Sequence, residues 1–392
     1  MTASHMTLLL VPLLVVAAPI LARLIRRWLP VPVMVFELLL GILFGPAVFG
    51  LVQVTEFLDM LADLGVAMLF FMAGSEIQLS ALQGRTGRRA WFGWFLSLGL
   101  GIAAGLLIAP GLGAVIVGIC LCSTALGTLL PVLRDAGVLK QPFGLSVSAV
   151  GAVGEFGPIV AISLLLGSRE PGGALAVLTV FLVIAAVLIW HSQRLPHGRL
   201  HRFVESTLHT SGQFAVRLVM AILFALIVLS LVLDVDMLLG AFAAGVVWQM
   251  LMRDASPATQ HAVESKIEGL AFGFLIPVFF VATGVKFDLR ALLDAPLTLL
   301  LVPAMTVALL VIRGLPVMLA APEGAGWRER FAVGLLGATG LPIIVVVTAI
   351  GVEEELISST ESAVLVGGGM LSVLLFPLIG MALARRSTRA GG

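Results

Sequence analysis

Phe70-Phe71-Met72-Ala73-Gly74-Ser75-Glu76-Ile77-Gln78-Leu79-Ser80-Ala81-Leu82 has a counterpart late in the chain, Phe280-Val281-Ala282-Thr283-Gly284-Val285-Lys286-Phe287-Asp288-Leu289-Arg290-Ala291-Leu292, and five positions match without a gap. Two weaker pairs keep the same order. Glu37-Leu38-Leu39-Leu40-Gly41 aligns with Asp236-Met237-Leu238-Leu239-Gly240, and Ala136-Gly137-Val138 with Ile350-Gly351-Val352. Taken singly, matches among Leu, Gly and Ala are cheap; their common order is what implies an internal repeat.

The repeat is set in an apolar chain. Of 392 residues, 60% are hydrophobic and 11% charged, against about 25% charged in soluble domains. A helix needs about 20 apolar residues to cross a bilayer, and thirteen such runs are separable: 7–22, 32–50, 57–80, 90–109, 114–134, 142–167, 173–191, 213–233, 237–252, 269–287, 296–320, 330–351 and 362–384. The repeat pairs span two with nine, three with ten and five with twelve. Seven spans separate equivalents, an odd number, so the second half runs upside down relative to the first. The expected fold is an all-α integral membrane protein of two inverted-topology six-helix repeats, residues 1–167 and 203–392, joined by a linker helix and cytoplasmic loop, 168–202. This plan places a binding site near the midplane on broken helices. The loops leave no room for a soluble regulatory domain.

Twenty-three basic and 22 acidic residues give a net charge near +1, which excludes a nucleic-acid footprint. Cys120 and Cys122 are too close for ordinary disulfide geometry and lack the second pair a zinc site needs. Most basic residues, among them Arg23, Arg85, Arg134, Lys140, Arg199, Arg253 and Arg328, follow odd-numbered spans. The positive-inside rule therefore puts the N-terminus outside and the C-terminus in the cytoplasm. The first span has no small-residue cleavage site and reads as retained, not as a signal peptide.

Span five carries Ser123-Thr124-Ala125-Leu126-Gly127-Thr128 and then Pro131; span twelve carries Thr339-Gly340-Leu341-Pro342. Small, polar and helix-breaking residues in repeat-equivalent places point to two discontinuous, crossing helices whose hydroxyls and freed carbonyls face a wet cavity. Close small-residue packing is the alternative. Glu155 stands midway along span six, in Gly154-Glu155-Phe156-Gly157-Pro158, with no other acid in that run. A carboxylate at that depth costs about 2.5–3.5 kcal/mol on insertion scales and marks a site by default. A proton and a metal cation are the two guests it can take. Gly154, Gly157 and Pro158 are expected to open space and loosen the helix beside it. Arg313, inside span eleven, is a candidate partner for Glu155 as a fixed counter-charge, since arginine keeps its proton; bracing carbonyl ends of the broken helices or snorkelling to the cytoplasmic surface is the alternative. Glu37 and Asp236 read as interfacial helix caps, and the histidines at 191, 197, 201 and 209 are too scattered to argue a metal site.

These residues resemble the cation:proton antiporter-2 family, the bacterial sodium/proton and potassium/proton exchangers that include Kef-type membrane domains. The resemblance rests on Glu37-Leu38-Leu39-Leu40-Gly41-Ile42-Leu43-Phe44-Gly45-Pro46, on Leu69-Phe70-Phe71-Met72-Ala73-Gly74-Ser75-Glu76, on Ser123-Thr124-Ala125, on Ile276-Pro277-Val278-Phe279-Phe280-Val281-Ala282-Thr283-Gly284, on the Thr339–Pro342 break and on Leu371-Ser372-Val373-Leu374-Leu375-Phe376-Pro377. It implies a core of spans 4–6 and 11–13 moving against a dimerisation side of spans 1–3 and 8–10. In such proteins the position of Glu155 is usually Asp, preceded by Asp, Asn or Gln; here Gly154 precedes it. Arg313 matches a position held by Lys or Arg, and Arg accompanies electroneutral exchange.

The expected function is monovalent cation/proton antiport by a homodimer in the bacterial inner membrane. Glu155 binds sodium, potassium or a proton in turn, oxygens of Ser123, Thr124 and the backbone near Thr339 complete the cation's shell, and one carboxylate gives electroneutral exchange. No cofactor is implied, and no nucleophile–base pair or metal-ligand spacing supports an enzyme. The alternatives are a sodium-coupled organic-anion symporter and a degenerate, non-transporting homologue.

Overall fold

Runs of Leu, Val, Ile and Ala without polar periodicity fold as helix in an apolar phase, because helix closes every backbone hydrogen bond within the segment. The computed structural model describes residues 3–25, 31–76, 84–165, 213–253, 255–293 and 296–390, with isolated positions between 176 and 187. Among them every regular element is helical: α1 Ala3–Ile25, α2 Val33–Phe44, α3 Glu56–Glu76, α4 Gly84–Gly105, α5 Leu112–Cys122, α6 Leu126–Asp135, α7 Pro142–Leu165, α8 Phe214–Val232, α9 Met237–Met252, α10 Pro257–Leu270, α11 Ile276–Lys286, α12 Leu289–Leu293, α13 Pro296–Leu309, α14 Leu315–Val317, α15 Trp327–Gly337, α16 Pro342–Glu353 and α17 Ser359–Ala390. The expected seventh span, 173–191, lies mostly outside the described residues, as do the four histidines. Eight helical stretches among them are long and apolar enough to cross a bilayer, and α15 with α16 passes the same test as a pair bent by 40°.

Boundaries differ from expectation where capping chemistry intervenes. The tenth span begins at Pro257, not 269, because Ser256 caps the helix, its Oγ accepting from Thr259 N at 3.2 Å, and the π-helical segment Ala271–Leu275 joins α10 to α11 without a break. Asp236 caps α9 as expected, accepting from Leu238 N at 2.8 Å. Glu37 does not cap: it lies inside α2, 5% exposed.

The chain forms two compact units. The first comprises Met1–Ala18, Glu37–Ile77 and Ser163–Val285; the second comprises Pro19–Phe36, Gln78–Ile162 and Lys286–Gly392. Each takes helices from both halves of the sequence, so the division in space cuts across the division along the chain. Spans 4–6 and 11–13 fall together in the second unit apart from the last residues of α7.

In the first unit, glycines let backbones touch. A Cβ on Gly41 would overlap Val281 O and Gly284 Cα, and one on Gly245 would overlap Phe71 O and Gly74. Reciprocally, Gly284 rests on Leu38 O and Gly41, and Gly74 on Phe242 O and Gly245. The two contacts are copies in which Leu38 and Gly41 answer to Phe242 and Gly245, while Phe71 and Gly74 answer to Val281 and Gly284. Such a likeness is compatible with the expected pairing of spans two with nine and three with ten. It corrects the register of the first pair, since Gly41 corresponds to Gly245 and not to Gly240. The Glu37–Asp236 match was a coincidence of local composition; packing identifies the equivalent residues.

In the second unit, α4 lies along α5 with Gly101 against Gly118, and the π-helical segment Leu310–Gly314 between α13 and α14 meets α15 where Gly314 faces Gly334. These close approaches, with α17 packed on α13, α15 and α16, hold the two interrupted helices together.

Candidate functional site

The backbone leaves helical geometry at Ser123 (φ −79°, ψ 156°) and re-enters it after Ala125. The three non-helical residues release N–H groups that need partners inside the protein. Thr124 N donates to Gly154 O at 3.0 Å, and Ala125 N donates to Thr339 O at 2.7 Å. In the other break, between α15 and α16, Gly340 N donates to Ser372 Oγ at 3.2 Å, and Ser372 Oγ donates to Gly369 O at 2.7 Å. A Cβ on Gly340 would lie 3.0 Å from Ser123 Oγ. The two interruptions therefore meet residue against residue, as the spacing of small and polar residues led one to expect.

The Glu155 side chain reaches the start of α6, just past the first break. It is 9% exposed, and its Oε1 accepts from Gly127 N at 3.2 Å. Gly127 is the second residue of α6, one of the amide groups that a helix start leaves without an intrahelical acceptor. The start of α6 offers the carboxylate a backbone donor that its own helix does not use. Glu155 is thus tied to one break through its own side chain and, through Gly154 O, to the residue before it.

Pro158 acts differently from expectation. The helix α7 runs through it unbroken from Pro142 to Leu165. A proline has no N–H to give the carbonyl four residues earlier, which here is Gly154 O, the atom that accepts from Thr124 N. The ring spares an acceptor without loosening the helix. Pro131 likewise does not make the break; it lies within α6, after the interruption. Pro342 is the first residue of α16, where a missing N–H costs nothing. Gly157 is required for packing, because a Cβ there would enter the Trp94 ring.

Arg313 is fully buried. Among the described residues its hydrogen bonds go to Thr124 Oγ1 (from Nε, 3.1 Å) and Val150 O (from Nη2, 3.1 Å) rather than to Glu155. The direct pairing read from sequence gives way to the alternative, bracing of the broken helix. Thr124 becomes a junction: its N–H reaches α7, its hydroxyl donates to Gly337 O at the end of α15, and the same oxygen accepts from Arg313. The Ser123 hydroxyl donates to Cys120 O at 2.8 Å and that of Thr339 to Leu335 O at 3.2 Å; their lone pairs are the oxygens left for another guest. Sequence reasoning passed over Gly127, Val150 and Ser372 as contributors. A lone Ser in the apolar run Met370-Leu371-Ser372-Val373-Leu374 was a usable signal, and so was the glycine just inside α6. A backbone carbonyl such as Val150 O carries none.

Residues 12–385 match the family model described as sodium/hydrogen exchanger, transmembrane. The protein YjbQ of Bacillus subtilis is 27% identical over 94% of this chain, which spans 62% of that protein's length. The Na(+)/H(+)-K(+) antiporter GerN of Bacillus cereus is 29% identical over 65% of this chain and 65% of its own. The chain thus spans less than two thirds of the length of these relatives. Among solved structures, that of the sodium proton antiporter MjNhaP1 from Methanocaldococcus jannaschii superposes with a TM-score of 0.69, covering 98% of this chain and 99% of that one at 16% identity; a likeness at that identity speaks to fold.

Proposed function

The chain belongs to the transmembrane sodium/hydrogen exchanger family, and on that footing we propose that it exchanges a monovalent cation, sodium or potassium, for a proton. The observation that carries this reading is the Glu155 carboxylate, buried and held by the Gly127 amide at the start of α6, just past the first of the two touching helix breaks. That amide fixes the position of one carboxylate oxygen, Oε1, where a proton or a cation can be exchanged. Ser123 and Thr339 supply neighbouring oxygens. A proton or a cation each neutralises the single carboxylate, so both loaded states carry the same charge and exchange is electroneutral. Arg313 holds its charge throughout and keeps Thr124 in place, a positioning residue in place of a second carrier. The same reading takes residues 1–167 and 203–392 as inverted repeats, the assembly as a homodimer, and the membrane as a bacterial inner membrane with the C-terminus in the cytoplasm.

Proteoliposomes with an internal pH dye test it. Sodium or potassium added outside should drive a pH change in the wild type, lost in Glu155→Gln and Glu155→Ala while the variants remain monodisperse. Retention of exchange in Glu155→Ala would falsify the assignment, and a current at zero voltage under an ion gradient would sink the stoichiometry.

A further inference from the structure

Away from Glu155, the second unit carries a cavity of about 720 Å³ between the start of α4 and the residues that precede α15, lined by Arg85, Arg88, Arg89 and Arg330 with Glu323 as its acid. Arg85 and Glu323 pair at 2.6 Å. Arg330 Nε donates to Ala325 O at 3.1 Å. Among the described residues no carboxylate pairs with Arg88, Arg89 or Arg330, so three guanidinium charges converge on one opening without compensation. All belong to the face that the charge bias assigns to the cytoplasm.

The cavity is basic at one end and continues into an apolar wall. Phe92, which lines it, is 62% exposed, and Phe95 and Leu96, one turn further along α4, are 61% and 41% exposed; Leu319 across the opening is 47% exposed. From Arg88 to Leu96 the helix rises about 12 Å, close to the depth of one hydrocarbon leaflet, about 15 Å. A free phosphate would use the arginines and leave the exposed aromatic wall unexplained. A zwitterionic headgroup would bring its own cation into a site already in surplus of positive charge. We propose that this cavity binds an anionic phospholipid of the cytoplasmic leaflet, its phosphate held by Arg88, Arg89 and Arg330 and an acyl chain lying along Phe92, Phe95 and Leu96. Basic pockets between membrane helices take such headgroups by charge complementarity. The lipid braces α4 against α15, the helix whose last residue, Gly337, accepts from Thr124.

Lipid binding is read without reference to transport, so it stands or falls apart from the exchange proposal. The full chain in detergent is titrated by native mass spectrometry with dioleoylphosphatidylglycerol or dioleoylphosphatidylcholine. Phosphatidylglycerol should bind about ten-fold tighter than phosphatidylcholine, and Arg88→Gln with Arg89→Gln should weaken it about thirty-fold, some five-fold per charge. The charge-matched pair Arg134→Gln with Lys140→Gln should stay within about two-fold of wild type on the same arithmetic. Arg330→Gln alone, about five-fold weaker, serves if the double variant does not fold. Equal affinity for the two lipids, wild-type binding by the arginine variants, or displacement of the lipid by millimolar glycerol phosphate would each overturn the proposal, the last pointing to a soluble anion.

Discussion

A methyl group on Gly154 would overlap the Thr124 side chain and the Arg313 guanidinium. That collision explains why glycine stands where the resemblance leads one to expect Asp, Asn or Gln: the space beside the carboxylate is already filled by an arginine and a threonine from two other helices. Gly154→Ala should therefore lower stability by about 1–3 kcal/mol, the usual cost of overpacking, seen as a fall in melting temperature in detergent. Arg313→Lys should also fail to restore wild-type stability, because an ammonium cannot present the paired donors that reach Thr124 and Val150 at once. At this scale Glu155 and Thr124 stood out by their chemistry, an acid and a hydroxyl in apolar runs, but Thr124, expected as a cation ligand, has its hydroxyl engaged by Gly337 O and Arg313. The partners of Arg313 were not legible, because a guanidinium in a helix of Leu and Val advertises a need for acceptors without saying which helix supplies them.

At the scale of the element, the pairing of α7 with the first break depends on Pro158. Substituting Pro158→Ala restores an N–H aimed at Gly154 O, in competition with Thr124 N. The expected outcome is faster hydrogen exchange at the Thr124 amide with α7 itself no less protected, measured by exchange mass spectrometry. Each break was visible in the sequence as a cluster of small and polar residues. The helix-breaking residues within those clusters were assigned too simply: Pro131 and Pro158 lie in intact helices, and the interruption at Ser123–Ala125 contains no proline. There the chain is extended because its donors find better acceptors in Gly154 and Thr339 than in its own helix, a competition that propensity along one strand of sequence does not contain.

For the molecule as a whole, the glycine contacts of the first unit carry the repeat. Gly41→Ala and Gly245→Ala occupy equivalent places and should destabilise to a similar extent, about 1–3 kcal/mol each, whereas Gly99→Ala, which meets nothing within 4 Å, should leave the melting temperature unchanged or raise it. A likeness of one variant to wild type and not the other would break the equivalence.

An apolar composition was enough to determine a helical membrane protein, and the order of recurring segments and a lone mid-span acid were enough to raise the expectation of a repeat and of a carboxylate site, because hydrocarbon leaves helix as the way to satisfy the backbone and makes a buried charge costly. The register of the repeat, the partners of Arg313 and the donor to Glu155 were decided in three dimensions. Each depends on backbone atoms brought together from distant segments, and since every residue owns a carbonyl and nearly every one an amide, the letters of the sequence do not distinguish those that will meet.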